Sequence, residues 1–196
     1  MRRGGFDVFE GMLNPVAFEA MTAEAIAQYD ASTLTNVVEN LDGDERGGSP
    51  ARRFLSAGGG TVQQSFYRSE WMLRFLTGLA GGNVTPTGEM ATFSYYVRPG
   101  DHIDVHRDVE ECDLAVITCL LDSAPERVDG SLCVYPDRMG ERVREIRETR
   151  DRGFDRVHLA PGQTIVLLGG IVPHRLDPVG AGQQRVVSVM CYSVAG

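Results

Sequence analysis

Residues 91–108 run ATFSYYVRPGDHIDVHRD. The stretch from Ala91 to Val97 is aromatic, small and β-branched with no helical period, and Pro99-Gly100 punctuates it. After the turn, His102, Asp104, His106 and Asp108 alternate with Ile103, Val105 and Arg107, a strand-like period of two. The same grammar continues to the end of the chain. Residues 114–121, 132–135, 156–159, 163–168 and 186–194 are short β-branched or apolar runs. They are separated by Asp129-Gly130, Pro161-Gly162, Gly169-Gly170 and Gly180-Ala181-Gly182. A series of strands with no regular helix between them predicts a β-sandwich or barrel.

Upstream of this region the period is helical. Residues 15–29 carry Val16, Phe18, Ala20, Met21, Ile26 and Ala27, with Asn14-Pro15 as cap and first helical residue. Residues 65–79 predict a second helix, with Phe66, Leu73, Leu76 and Ala80 at helical spacing and Gly81-Gly82 ending it. Between them, residues 42–60 predict a polar, Gly-rich loop punctuated by Gly47-Gly48-Ser49-Pro50 and Gly58-Gly59-Gly60. Residues 138–152 form a charged insertion of helical character. No repeat or linker interrupts the chain. The expected organisation is one domain over 1–196, with 1–88 as helical support and loops and 89–196 as the β core.

Composition narrows the function. With 19 basic against 27 acidic residues the net charge is −8, which argues against general nucleic-acid binding or adhesion to an anionic membrane. Every basic residue is arginine. Without lysine there is no Schiff base, no phosphate-loop amine and no Ser-Lys dyad. The longest apolar runs, 114–121 and 165–172, fall far short of the roughly 20 residues that span a membrane. Asp7 and Glu10 interrupt the N-terminus before a signal-peptide core forms. Cys112, Cys119, Cys133 and Cys191 show no zinc-knuckle or Cys-x-x-Cys spacing, so four reduced thiols and a cytoplasmic location are expected.

Only four histidines are present: His102, His106, His158 and His174. On an extended strand His102, Asp104, His106 and Asp108 share one face, and such a set is costly to bury unless a divalent cation compensates it. The plain alternative is a solvated strand edge. His174 follows the apolar run 164–168 and the Gly169-Gly170 kink, and with one His-x-Asp pair it completes a 2-His-1-carboxylate set. That donor set suits Fe(II), and also Zn(II) or Mn(II). Strand parity does not separate His102/Asp104 from His106/Asp108. Arg185 opens the apolar run 186–190, either as a surface cation or as a fork held inside the barrel for a carboxylate.

Taken in order, these elements resemble the Fe(II)/2-oxoglutarate-dependent dioxygenases, especially the prolyl-hydroxylase-like branch. The resemblance rests on Tyr96, Pro99-Gly100, His106-Arg107-Asp108, the strand 114–122, Asp129-Gly130-Ser131-Leu132, Pro161-Gly162, Pro173-His174 and Arg185, over roughly 90–194. Tyr96 and Gly100 stand at the family's spacing before His106 and not before His102, which selects His106/Asp108. Three departures stand out. Arg185 lies eleven residues after His174, Val187 replaces a serine common in some branches, and Asp129 replaces the first glycine of a Gly-Gly turn.

The resemblance implies a mostly β fold, a double-stranded β-helix of the jelly-roll or cupin type, backed by the N-terminal helices. It implies Fe(II) held by His106, Asp108 and His174, and 2-oxoglutarate as cosubstrate with its far carboxylate on Arg185. Tyr96 and Thr118 would add hydroxyl hydrogen bonds, and His102 and Asp104 would face the barrel mouth. Hydroxylation of a small molecule by O2, with release of succinate and CO2, is the implied reaction. An amino acid or a natural-product intermediate is the expected substrate class, its pocket shaped by 42–60, by Gln63, Gln64 and Arg68, and by the insertion. Two other classes remain: a cupin-like metalloprotein without 2-oxoglutarate, using His102, His106 and Glu110 or Glu111, and a non-catalytic ligand-binding barrel.

Overall fold

In the computed structural model, which describes residues 4–40, 46 and 48–195, the β pattern read from residue 91 onward is seen and extends further upstream than the sequence suggests. The elements run β1 (Phe6–Glu10), α1 (Pro15–Ala27), β2 (Thr33–Val37), β3 (Arg52–Gly58), α2 (Thr61–Tyr67), α3 (Glu70–Ala80), β4 (Asn83–Tyr96) and β5 (His102–His106). Then follow β6 (Leu114–Asp122), β7 (Leu132–Val134), α4 (Val143–Glu148), β8 (Asp155–Val157), β9 (Gln163–Leu167), β10 (His174–Leu176) and β11 (Arg185–Ala195). Among the described residues the strands form one curled antiparallel sheet in the order β1-β9-β6-β11-β4-β3-β5-β10-β7-β8, with β2 on β3. The fold is the expected double-stranded β-helix, mostly β with few helices.

β3 makes the curl possible. Its second half, Leu55 to Gly58, pairs with β4, while Arg52 and Arg53 pair with β5. One strand thereby joins the two halves of the sheet, in a segment whose glycines and polar residues predict a loop. The correction has a clear origin: Phe54, Leu55 and Ala57 supply strand side chains between turn residues. Residues 42–45 and 47 of the 42–60 stretch lie outside the described residues, as do residues 1–3, 41 and 196.

Strict alternation divides each long strand between two faces. On β4, Phe93 and Tyr95 pack outward with Met21, Ala25 and Leu120, while Thr92, Ser94 and Tyr96 face a cavity on the concave side. On β11, Met190 and Tyr192 join Tyr67, Met72 and Leu76 on the convex side, while Arg185, Val187, Val189 and Cys191 face the cavity. Each fully buried Leu or Met of this layer contributes roughly 1.5–3 kcal/mol. The helices thus cover one face and leave the other open for a site.

Local signals explain the helix boundaries. Asn14 caps α1 by accepting the Ala17 N–H at 2.9 Å, as its sequence suggests. The single helix expected over 65–79 is instead two, because extended Ser69 caps α3 through the Met72 N–H. The Glu24 carboxylate of α1 takes the first N–H groups of α2, from Val62 and Gln63. Gln63 turns to the convex side, donating to Thr92 O and Ser188 Oγ at 2.8 Å each, so it does not shape the cavity. The boundary expected at 88/89 falls inside β4, where the strand bulges between Pro86 and Ala91 and Gly88 takes φ 56°. Of the insertion, only Val143–Glu148 is α-helical.

Two cysteines are not free. Cys112 and Cys191 form a disulfide, while Cys119 and Cys133 are buried thiols. The expectation of four reduced thiols fails because pairing of β6 with β11 brings together residues 79 apart in sequence, which no spacing rule detects. Among the described residues no helix is long and apolar enough to cross a membrane. Alkylation of the unfolded, unreduced chain should label only Cys119 and Cys133, and prior reduction should expose all four cysteines to labelling. A Cys112→Ser/Cys191→Ser variant should lose about 2–4 kcal/mol in denaturant unfolding.

Candidate active site

The site begins with a local irregularity in β5. His106 pairs with His174 of β10 and Ile103 pairs with Leu176, so three steps on β5 oppose two on β10. One extra residue is a β-bulge, and it cancels the parity of the strand. Ile103 and His106 both face the cavity although an odd number of positions separates them. Val105 packs outward on Cys133, Tyr135, Val143 and Ile146. His102 and Asp104 line a separate polar cavity with Arg150, Arg156, Arg175 and Asp177. The face shared by His102, Asp104, His106 and Asp108 therefore does not exist, and neither His102 nor Asp104, expected toward the barrel mouth, lines the cavity that His106 faces.

Asp104 has a structural task instead. Its carboxylate accepts hydrogen bonds from Asn40 at 3.0 Å, Arg150 at 3.1 Å and the Val105 N–H at 2.8 Å. Burial opposes its charge, but the Asn40 and Val105 hydrogen bonds and the Arg150 charge hold its pKa below the ordinary carboxylate value. Arg147 donates to Val105 O at 2.9 Å. The charged insertion thus braces the bulge rather than lining the cavity.

Three side chains converge beyond the bulge. Asp108 Oδ1 lies 3.6 Å from Nε2 of His106 and 3.6 Å from Nε2 of His174, and the imidazole centroids are 4.3 Å apart. Two metal–ligand bonds of ~2.1 Å each span up to ~4.2 Å, so one ion bridges these separations. The tautomers follow from the partners. His106 Nδ1 is 2.9 Å from Asp104 O and His174 Nδ1 is 3.0 Å from Val172 O. A carbonyl only accepts, so each Nδ1 carries the proton and each Nε2 presents a lone pair toward Asp108. Burial and the adjacent His174 push the pKa of His106 down. Protonation of Nε2 in the absence of a metal reverses the contact with Asp108. Burial opposes both charges, but Asp108 raises the pKa of His174, and the imidazolium charges, His174 foremost, hold the Asp108 carboxyl well below its ordinary range. The donor set of two bare imidazole nitrogens and one carboxylate fits a borderline divalent cation.

Asp108 lies past the end of β5 and is fixed by its neighbours. Its N–H donates to Gly169 O at 2.8 Å, and a Cβ on Gly169 would stand 1.8 Å from its Oδ2. Arg46 takes the carbonyls of Val109 and Glu110 and the Asp113 carboxylate, at 2.8, 3.0 and 2.7 Å. Nothing in the sequence pattern marks Arg46. Glu110 and Glu111, the carboxylates of the cupin alternative, are exposed and outside this cluster.

A cavity of about 380 Å³ opens from the three ligands. Phe54, Met90, Ile103, Ile117, Val187 and Val189 line much of it, with Ser56, Thr92, Ser94 and Tyr96 as hydroxyls. Arg185 is the cation in its wall, 2% exposed, donating NH1 to Asp122 Oδ2 and NH2 to Leu159 O. Its Nε–H is buried with no partner among the described residues. Tyr96 faces Arg185 across the β4–β11 pair, and burial raises its pKa so that it stays a phenol. Thr118 is not in the cavity wall. Ala115 and Ile117 face inward on β6, so Thr118 faces out and lies 2.8 Å from the Thr164 hydroxyl. Sequence reasoning assigned Thr118 to the cofactor and overlooked Asp122, whose pairing with Arg185 needs the register of β6 against β11.

No protein-family model matches the chain, and no curated protein matches it by sequence. Solved structures do. A prolyl-4-hydroxylase from Pseudomonas putida is 18% identical, covering 98% of this chain and 94% of its own, with TM-score 0.64. AviO1 from Streptomyces viridochromogenes Tue57 is 20% identical over 98% of this chain and 90% of its own, with TM-score 0.72. The epimerase SnoN, in complex with Fe3+, alpha ketoglutarate and nogalamycin RO, is 14% identical over 99% of this chain and 80% of its own, with TM-score 0.70. At these identities the likeness establishes the fold that the sequence resemblance named.

Two substitutions check the site. Gly169→Ala should drive a methyl group into the Asp108 carboxylate and weaken Mn(II) or Fe(II) binding about 10–100-fold in equilibrium dialysis, with the circular dichroism spectrum retained. His106→Ala should abolish binding, and His102→Ala should leave it intact. Metal binding that survives His106→Ala would remove this cluster as the site.

Proposed function

We propose that the protein is an Fe(II)- and 2-oxoglutarate-dependent dioxygenase that hydroxylates an unactivated C–H bond of a small molecule. One observation carries the reading. His106, Asp108 and His174 converge at one part of a cavity whose wall also holds a buried arginine with an unpaired N–H. A cupin-like metalloprotein or a plain binding barrel gives Arg185 no reason to be there, since a buried guanidinium with an unmet donor is expensive. The structural neighbours named for iron, alpha-ketoglutarate or prolyl hydroxylation support the same reading.

Each group has a role in the overall conversion of substrate, 2-oxoglutarate and O2 into alcohol, succinate and CO2. The iron, when bound by His106, Asp108 and His174, supplies the activation of dioxygen that these side chains lack. Hydrogen bonds to Asp104 O and Val172 O fix both imidazoles with Nε2 inward. Arg185 binds the distal carboxylate of the cosubstrate through Nε–H and its remaining NH2 proton, a charge-assisted contact in a low-dielectric wall. Tyr96, held as a neutral phenol, would donate a hydrogen bond beside it. The apolar wall excludes water from the reacting centre.

The wall also bears on the substrate. Among the described residues, apart from the three ligands and Arg185, the side chains lining the cavity are uncharged. A free amino acid finds no second cation for its carboxylate among the described lining residues, whereas a neutral, largely apolar natural-product intermediate finds matching surface. SnoN and the carbocyclase SnoK, both from nogalamycin biosynthesis, support that choice.

Anaerobic titration should find one Fe(II) and one 2-oxoglutarate per chain, and admission of O2 should release succinate. The Asp122→Asn/Arg185→Gln variant removes the ion pair without leaving a lone buried charge, and it should weaken 2-oxoglutarate about tenfold or more with Fe(II) affinity nearly unchanged. Arg185→Lys should recover only part of the affinity, since an ammonium lacks the planar fork. A wild-type protein that binds metal but not 2-oxoglutarate would point to the cupin-like reading.

A further inference from the structure

The fourth histidine, His158, is unused by this mechanism, yet it sits directly behind the proposed anion site. Its Nε2 is 3.2 Å from Asp122 Oδ2, the same oxygen that pairs with Arg185. Its Nδ1 is 3.0 Å from Ser131 Oγ. The Asp122 side chain is fully buried, and its Oδ1 accepts the Ala124 N–H at 3.0 Å and Gln183 Nε2 at 3.2 Å. Ser131, His158, Asp122 and Arg185 thus form a line that ends in the cavity wall.

Counting protons along this line exposes a mismatch. The Ser131 hydroxyl donates to Val128 O, so toward His158 it acts as an acceptor and Nδ1 must carry a proton. A neutral imidazole then turns the bare Nε2 toward the Asp122 carboxylate, and two acceptors face each other without a hydrogen bond. Protonating Nε2 would convert this contact into an ion pair. Burial opposes that, followed by the positive charge of Arg185, and together they lower the pKa of His158 despite Asp122. Arg185 and Asp122 already cancel each other, so a carboxylate arriving on Arg185 brings one uncompensated negative charge into a buried region.

We propose that His158 is a positioning residue for the cosubstrate: it takes up a proton when a carboxylate binds Arg185, and so restores the charge balance that Asp122 removes. This rests on the reading of Arg185 as the anion-binding cation. Among the described residues the other titratable groups facing Arg185 are Cys119 of β6 and Tyr96 of β4. Burial pushes the Cys119 thiol up to about 11 and raises Tyr96 as well, so both stay neutral near pH 7 and neither supplies the proton. The sign follows from linkage. Between the pKa of His158 in the free protein and its higher pKa in the complex, uptake of one proton from solvent makes binding tighten as pH falls, by up to about tenfold per pH unit.

The test is calorimetry on the Mn(II)-loaded protein without O2, from pH 6 to 8.5, in two buffers of different ionisation heat. 2-Oxoglutarate is compared with 2-oxobutyrate, which keeps the metal-binding end and lacks the distal carboxylate. Proton uptake approaching one per 2-oxoglutarate, with little for 2-oxobutyrate, is the expected result. His158→Asn should remove that uptake and flatten the pH dependence of 2-oxoglutarate affinity without altering 2-oxobutyrate. Equal uptake for the two ligands in the wild type overturns the proposal without needing any variant, and so does an unchanged slope in His158→Asn. If 2-oxoglutarate binds at no pH, the dioxygenase reading falls and this inference falls with it.

Discussion

Opposite His174 and Leu176 of β10, strand β5 spends one residue more than its partner, and the position of His106 depends on that surplus. Without the bulge, alternation would send Ile103 and His106 to opposite faces, and the imidazole would point away from Asp108. A bulge of this kind persists only where its freed groups are satisfied. Here the Asp104 N–H donates to Ala51 O, Arg147 takes Val105 O, and Asp104 O receives the proton on His106 Nδ1. The Asp104 carboxylate in turn gathers Asn40 and Arg150. Groups remote in sequence thus hold one strand irregular so that one nitrogen points inward.

The same bulge marks where the sequence stops being informative. Turn residues and apolar runs disclose strands and their order, because glycine, proline and β-branched side chains act locally. The pattern Tyr96, Gly100, His106, Asp108, His174 and Arg185 is equally visible, since it is a matter of spacing along the chain. A bulge leaves no such trace. It is a property of registration between β5 and β10, and strand parity puts His102 and Asp104 on the face of His106 and Asp108 until that registration is known. Thr118 misleads for a related reason. It lies in an apolar run buried on both faces, where no polar alternation indicates which side chains turn inward. The Cys112–Cys191 pair and the Arg185–Asp122 pair likewise exist only once β6 and β11 are aligned.

Charge is distributed unevenly in the cavity wall. Around the three ligands a single carboxylate faces two imidazoles, a set completed by a cation. Around Arg185 a cation is already answered by Asp122, and what is left over is an unmet N–H rather than unmet charge. The first arrangement attracts by Coulomb energy. The second selects by hydrogen-bond geometry, and a group that cannot accept from Nε–H gains little there. Between them lies a wall of aliphatic and hydroxyl side chains, which concentrates polar recognition at the two charged places.

The loop that carries Asp108 is tied down from several sides before any ligand arrives. Arg46 binds its carbonyls and Asp113, the Cys112–Cys191 bond fastens it to β11, and Gly169 leaves room for the carboxylate and no more. An ion entering such a cage does not have to order a flexible segment, so little of its coordination energy is lost to conformational entropy. The metal-free chain is then a shaped receptor rather than a partly unfolded precursor. Its stability should owe little to chelation, in contrast to small domains that fold only around their metal. Extracting an ion bound there would leave a vacant but intact mould, ready to be refilled by a divalent cation of similar size.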